Sequence, residues 1–216
     1  MISHLLFDLD GTLTNPKEGI TKCVQYALHA FGIEEPDLEK LVPFIGPPLR
    51  QSFMEFYGFS EEDAIKAVDS YRERFSTIGL FENFPYPGIA AMLQKLQAQG
   101  KILAVASSKP TVFVHQILEK FELAQYFTVI EGSNMDGSRV DKKEVIAEVL
   151  QQLGNPPADQ LLMIGDRKFD VIGAREMGFA CVGVRFGFAA PGELEDSGAI
   201  YVAETVQELQ EYLLSI

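Results

Sequence analysis

Leu5-Leu6-Phe7-Asp8-Leu9-Asp10-Gly11-Thr12-Leu13-Thr14 is the stretch on which the reading of the chain turns. An apolar run delivers two carboxylates, Asp8 and Asp10, directly into Gly11 and Thr12. A strand covered on both faces is almost continuously apolar, so Leu5 to Leu9 is expected to be a buried strand with the two acids at its carboxyl end. In open parallel α/β sheets that end is where ligands bind. Gly11 permits an abrupt turn that brings both acids toward one ligand. The competing reading, a surface turn with Asx chemistry, does not explain two carboxylates placed after an apolar strand.

Outward from this strand, the pattern changes to helical. From Pro16 to about Phe84 no convincing strand occurs. Asn15 and Pro16 form an N-cap and first-turn pair, and Ile20, Cys23, Val24, Ala27, Leu28 and Phe31 recur at helical spacing until Gly32. Pro36 to Val42, Pro48 to Tyr57 and Ser60 to about Thr77 continue in that manner, the last opening on Ser60 and the acids Glu61, Glu62 and Asp63. Beyond Tyr86 strand and helix alternate. Strands are expected over 102–106, 127–130, 160–164 and 180–184, with helices over 88–99, 110–121, 140–153 and 169–177. That alternation predicts an α/β fold with a parallel sheet covered on both faces, residues 1–14 and 85–216 forming the core and 15–84 an inserted all-helical domain.

The bulk properties bound the function classes. A chain of 216 residues accommodates one large domain, or one domain with a smaller insert. Thirty-one acidic against eighteen basic side chains give a net charge of −13, which disfavours a nucleic acid polymer as partner. A small phosphate ester remains compatible with a local cationic pocket. Cys23 and Cys181 lie far apart without metal-ligand spacing, which suits two buried thiols in a reducing compartment. No stretch approaches the roughly 20 apolar residues of a membrane span, so a cytoplasmic protein is expected, monomer or dimer. His4, His29 and His115 are scattered and offer no zinc helix.

Strands of a parallel sheet all end on one side, so their terminal polar residues converge. The first ends in Asp8 and Asp10; the apolar run Ile102 to Ala106 ends in Ser107, Ser108 and Lys109; Lys142 heads a helix; the run Leu161 to Gly165 ends in Asp166, with Asp170 four residues on. This set suits hydrolysis of a phosphate monoester, which needs an in-line nucleophile, positive charge around the equatorial oxygens and a proton for the leaving alkoxide. Asp8 is the candidate nucleophile, and Asp10 the candidate general acid and base. Asp8, Asp166 and the backbone carbonyl of Asp10 are hard oxygen ligands suited to Mg²⁺. Lys142 adds a second positive charge, Ser107 donates to the phosphoryl oxygens, and Asp170 supports the group. Gly11, Thr12 and Ser108 are further phosphate-binding candidates. Lys143 is a neighbouring rival for the lysine position, and the charged run from Asp141 to Glu144 reads on its own as a solvated face.

In these motifs the sequence resembles the haloacid dehalogenase superfamily along essentially its whole length. Leu5 to Thr14 is similar to the first motif of that superfamily, Ala104 to Pro110 to the second, Asp141 to Ile146 to the third with Lys142 at the lysine position, and Gly165 to Asp170 to the fourth. The resemblance implies a Rossmann-like core, Mg²⁺ dependence, Asp8 as nucleophile and a helical insert that acts as a mobile cap. An acid two residues after the nucleophile, here Asp10, implies a phosphatase or phosphomutase rather than a dehalogenase or phosphonatase. Phe44 to Phe53 and Tyr86 to Ile89 resemble the subgroup labelled phosphoglycolate phosphatase or 5'-nucleotidase. Asn15 and Arg167 depart from the family pattern, where an acid and a small hydroxyl residue are common. Gly46 and Arg50 are candidates for substrate selection, and Phe44, Phe53, Phe56 and Tyr57 for the core of the cap. Arg167 and Lys168 are expected to be solvated, and Phe186 and Phe188 to lie in a loop near the site. The alternatives left open are a sugar phosphomutase and a binding or regulatory protein that retained the fold.

Overall fold

Leu5, Leu6 and Phe7 are fully inaccessible in strand β1 (His4–Phe7), as a strand flanked on both edges and covered on both faces must be. The computed structural model describes residues 1–216. The chain divides into two compact units: Met1–Asn15 with Pro85–Ile216, and Pro16–Phe84. The two-residue strands β2 (Thr14–Asn15) and β3 (Phe84–Pro85) pair with each other where the chain passes from one unit to the other.

The first unit is built on a six-stranded sheet. Its further strands are β4 (Ile102–Pro110), β5 (Val129–Ser133), β6 (Leu161–Gly165), β7 (Ala180–Val184) and β8 (Tyr201–Ala203), in the order β5-β4-β1-β6-β7-β8 with every pairing parallel. Phe7 is opposite Val105 on one side and Ile164 on the other, which aligns the carboxyl ends of the three central strands. The chain order reverses at β1, the topological switch point at which such sheets bind ligands. Helices α4 (Ile89–Ala98), α5 (Thr111–Lys120), α6 (Lys142–Gln152) and α7 (Lys168–Glu176) supply the crossovers. On one face Leu6, Ala104, Met163 and Cys181 pack with Val145, Ile146 and Val149 of α6 and Val171 and Ala174 of α7. Each large side chain buried there contributes about 1.5–3 kcal/mol, enough to fix a register that a one-residue slip would invert.

The Pro16–Phe84 unit is helical: α1 (Lys17–Ala30), a 3₁₀ segment Leu38–Phe44, α2 (Leu49–Tyr57) and α3 (Glu61–Phe75). Ser60 caps α3 by accepting the Asp63 amide at 3.1 Å. Phe44 and Phe53 are buried with ring centroids 5.0 Å apart, whereas Phe56 is only partly covered.

Several local expectations are corrected. β1 stops at Phe7, because the Leu13 and Thr14 amides turn back onto the Leu9 carbonyl at 2.9 and 3.0 Å. Asn15 lies in β2, and Pro16, not Asn15, precedes the first turn of α1. The segment after Pro36 is 3₁₀ with Pro43 inside it, a residue without the amide that an α-helix would require. β5 runs two to three residues later than the apolar pattern suggests. Beyond β7 the chain adds α8 (Glu193–Ser197), β8 and α9 (Val206–Ser215).

Candidate active site

The two acids of the first motif leave β1 in different environments. Asp8, whose amide donates to the Ile164 carbonyl at 2.9 Å, is buried, and its Oδ1 lies 3.0 Å from Lys142 Nζ. Asp10 turns instead to Lys109, whose Nζ stands 2.8 Å from Oδ2 and 3.0 Å from Oδ1. Gly11 makes the turn possible: its φ is +83°, and a Cβ there would run into the Asp166 carboxylate. Thr12 follows with a fully buried hydroxyl that makes no hydrogen bond.

Lys142 is the first residue of α6, and it is buried, bridging Asp8 and Asp170 Oδ1 at 2.8 Å while donating to the Ala106 carbonyl at 3.0 Å. Burial disfavours its ammonium, but the carboxylates of Asp170 and Asp8 outweigh that and hold its pKa above the ordinary lysine value. Lys143 points outward to Glu176 at 3.5 Å, so the rivalry between adjacent lysines is decided for Lys142. Successive helix residues diverge by about 100° around the axis, and only one of the two can face the sheet.

Asp166 follows β6, is wholly buried, and accepts the Phe188 amide at 2.8 Å on Oδ2. Its Oδ1 makes no hydrogen bond. Asp170, in the first turn of α7, accepts the Arg167 amide at 3.1 Å. Asp8, Asp166 and Asp170 each present an oxygen within 4.8 Å of the others. Burial raises the Asp166 carboxyl well above its usual range, and Asp8 and Asp170 raise it further. Burial likewise raises the Asp10 carboxyl in spite of Lys109, with Asp8 adding to the rise.

Four carboxylates against two ammonium groups leave two formal negative charges in a buried site. Desolvating each ion costs several kcal/mol, so a divalent cation among Asp8, Asp166 and Asp170 is what this donor set fits. The all-oxygen ligands and the unpartnered Asp166 oxygen point to a hard cation.

Ser107 is buried at the end of the regular part of β4, its Oγ accepting the Lys109 amide at 3.3 Å, and Ser108 beside it is partly buried. Arg167 departs from the expectation of solvation: it is largely covered and paired with Glu193 at 2.9 Å, while Lys168 is exposed. Gly46, at φ +108°, and Arg50 belong to the helical unit, where Arg50 is exposed and 3.2 Å from Glu61. Two participants were not legible as such in the sequence. The Lys109 contact arises from a break in strand register, and the Phe188 amide lies far along the chain from Asp166. Tyr86, whose hydroxyl is buried without a partner, packs on Phe186 with centroids 4.9 Å apart.

Residues 5–184 match the family of haloacid dehalogenase-like hydrolases. Over 212 residues, 98% of this chain and 96% of the relative, the sequence is 47% identical to a 5'-nucleotidase of Pseudomonas aeruginosa. It is 37% identical to the tyrosine-protein kinase PtkA of Mycobacterium tuberculosis, over 97% of this chain and 72% of that one. The crystal structure of a predicted phosphatase from Clostridium acetobutylicum superposes with a TM-score of 0.96 at 48% identity, covering 100% of both chains.

Proposed function

Because the chain belongs to the haloacid dehalogenase-like hydrolases and is a phosphatase of that family, we propose that it hydrolyses a small phosphate monoester through an aspartyl-phosphate on Asp8. The observation that carries this reading is the Lys142 ammonium bridging Asp8 and Asp170 beside an Asp166 oxygen that no protein group satisfies. Residues 1–14 and 85–216 would form the catalytic core and 15–84 the cap, with Gly46 and Arg50 as candidates for substrate selection.

An Asp8 oxygen attacks phosphorus as the bond to the leaving oxygen breaks, and that oxygen keeps the electron pair and takes the proton of the Asp10 carboxyl. Water then attacks the aspartyl-phosphate, Asp10 removes its proton, and the bond from phosphorus to Asp8 breaks to release phosphate. The sum is one ester and one water consumed, one alcohol and one phosphate formed. Lys142, 3.0 Å from Asp8, adds positive charge facing the phosphoryl group. Ser107 and Thr12 donate to its oxygens. Asp8, Asp166 and Asp170, with the Asp10 carbonyl as a further donor, would hold a Mg²⁺ ion, which when bound would supply positive charge against the phosphoryl oxygens.

Nucleoside 5'-monophosphates and phosphoglycolate are the leading substrates, the first supported by the 5'-nucleotidase relative. The test is phosphate release from a panel of phosphorylated metabolites with Mg²⁺, with chelator, and with Asp8→Asn, alongside ATP with a tyrosine peptide and a hexose phosphate. Metal-dependent release that disappears in Asp8→Asn is expected. Phosphotyrosine formed without net hydrolysis, or a hexose phosphate isomerised without phosphate release, would replace hydrolysis by transfer.

A further inference from the structure

β4 and β5 are in register from Ala104 to Ala106, which lies opposite Glu131, and pair again only at Pro110, opposite Ser133. Four residues of advance on β4 therefore match two on β5, and Ser107, Ser108 and Lys109 form a bulge at the carboxyl edge of the sheet. Bulges of this kind re-aim side chains next to active sites. The one here is fitted closely to its neighbour: a Cβ on Gly132 would strike the Lys109 carbonyl. Its consequence is that Lys109, with only 6% of its side chain exposed, reaches both oxygens of Asp10 from 99 residues away.

We propose that Lys109 is a positioning residue that fixes the Asp10 carboxyl in the orientation from which the proton reaches the leaving oxygen. The assignment rests on the phosphatase reading and adds to it a residue outside the nucleophile, the acid, the metal ligands and Lys142. An aspartate side chain rotates about two bonds. Two contacts from one buried ammonium remove that freedom, and a loss of about 1 Å in placement is worth about 100-fold in rate. Lys109 is also one of only two buried ammonium groups facing four carboxylates.

The role has a signature in the leaving group. An alkyl phosphate needs a proton for its departing alkoxide, whereas 4-nitrophenolate leaves without one, so only the first depends on where Asp10 is held. Single-turnover release from the two kinds of ester, with the holoenzyme in Mg²⁺, separates them. In Lys109→Met the alkyl ester is expected to slow about 10–100-fold with little change in KM, and nitrophenolate release by less than about threefold. Lys109→Arg, which keeps a cation at that point, restores most of the alkyl rate. In an Asp10→Asn background Lys109→Met adds no further loss. Equal slowing of both esters, no slowing, acceleration, or an additional loss in the Asp10→Asn background would overturn the assignment. Should Lys109→Met not fold, the leaving-group ratio of Lys109→Gln decides in the same way. Failure of the phosphatase reading looks different, since the wild type would then release phosphate from neither ester.

Discussion

At the scale of single residues, the site separates its carboxylates by what each one touches. Asp8 and Asp170 share an ammonium, Asp10 has its own, and Asp166 has only an amide on one oxygen. Asp166 is thus the acid whose ionised form the protein itself supports least. Its folded-state pKa is raised, so the charged form costs stability at neutral pH, and removing that charge should return it. Asp166→Asn is expected to raise the Tm measured in chelator, by about 2–4 °C for each kcal/mol recovered, and to abolish any Mg²⁺-induced rise. A lower Tm in chelator would show that the carboxylate is not strained there. Lys142→Met should do the opposite, leaving Asp8 and Asp170 buried without their cation, a loss of about 3–5 kcal/mol by denaturant titration. Asp10→Asn is expected to keep the fold and lower turnover of alkyl esters about 10²–10⁴-fold, measured as phosphate release.

At the scale of elements, short irregular segments matter as much as regular ones. The bulge of β4 depends on the missing side chain at Gly132, so Gly132→Ala should displace Ser107 to Lys109 and slow alkyl and nitrophenyl esters alike through Ser107, with a further loss for the alkyl ester through Lys109, measured as phosphate release. In the helical unit the corresponding fastener is Glu82, which accepts two hydrogen bonds from Arg74 at 2.7 and 3.0 Å and one from Lys22 at 3.2 Å, tying α3 to α1. Arg74 lowers the Glu82 pKa, burial opposes it, and Lys22 adds to the lowering. A carboxylate whose folded pKa is depressed contributes fully above its unfolded value and loses that contribution as pH falls through the folded one. Glu82→Gln should therefore cost about 1–2 kcal/mol at pH 7, and its Tm should converge on that of the wild type as pH falls through the lowered pKa of Glu82. A gap that stays constant with pH would assign the loss to packing.

At the scale of the whole molecule, the acidic site and the acidic surface set how metal and pH are linked. The ligands must be deprotonated to hold a cation, so the Tm rise produced by Mg²⁺ should be larger at pH 7.5 than at pH 5; equal rises would place the ion outside the acid cluster. No helix is long and apolar enough to cross a membrane. The α/β class and the alternation of strand and helix up to Val184 could be read from periodicity, since buried parallel strands and amphipathic helices write their burial locally into the order of residues. The three residues of the terminal strand β8 carry too little periodicity to show a period, whereas α9 has a local signal in Thr205, which marks its start by accepting the Glu208 amide. The sequence by itself determined which chemical groups stand at the ends of which strands: Asp8, Asp10, Ser107 and Asp166. Only the tertiary structure decided that Lys142 rather than Lys143 faces them, that Asp170 joins Asp8 and Asp166, that Phe188 lends its amide, and that Lys109 holds Asp10. These depend on strand register and on the direction of each side chain around its helix or bulge, which are set by packing between segments far apart in the chain and leave no local period to read.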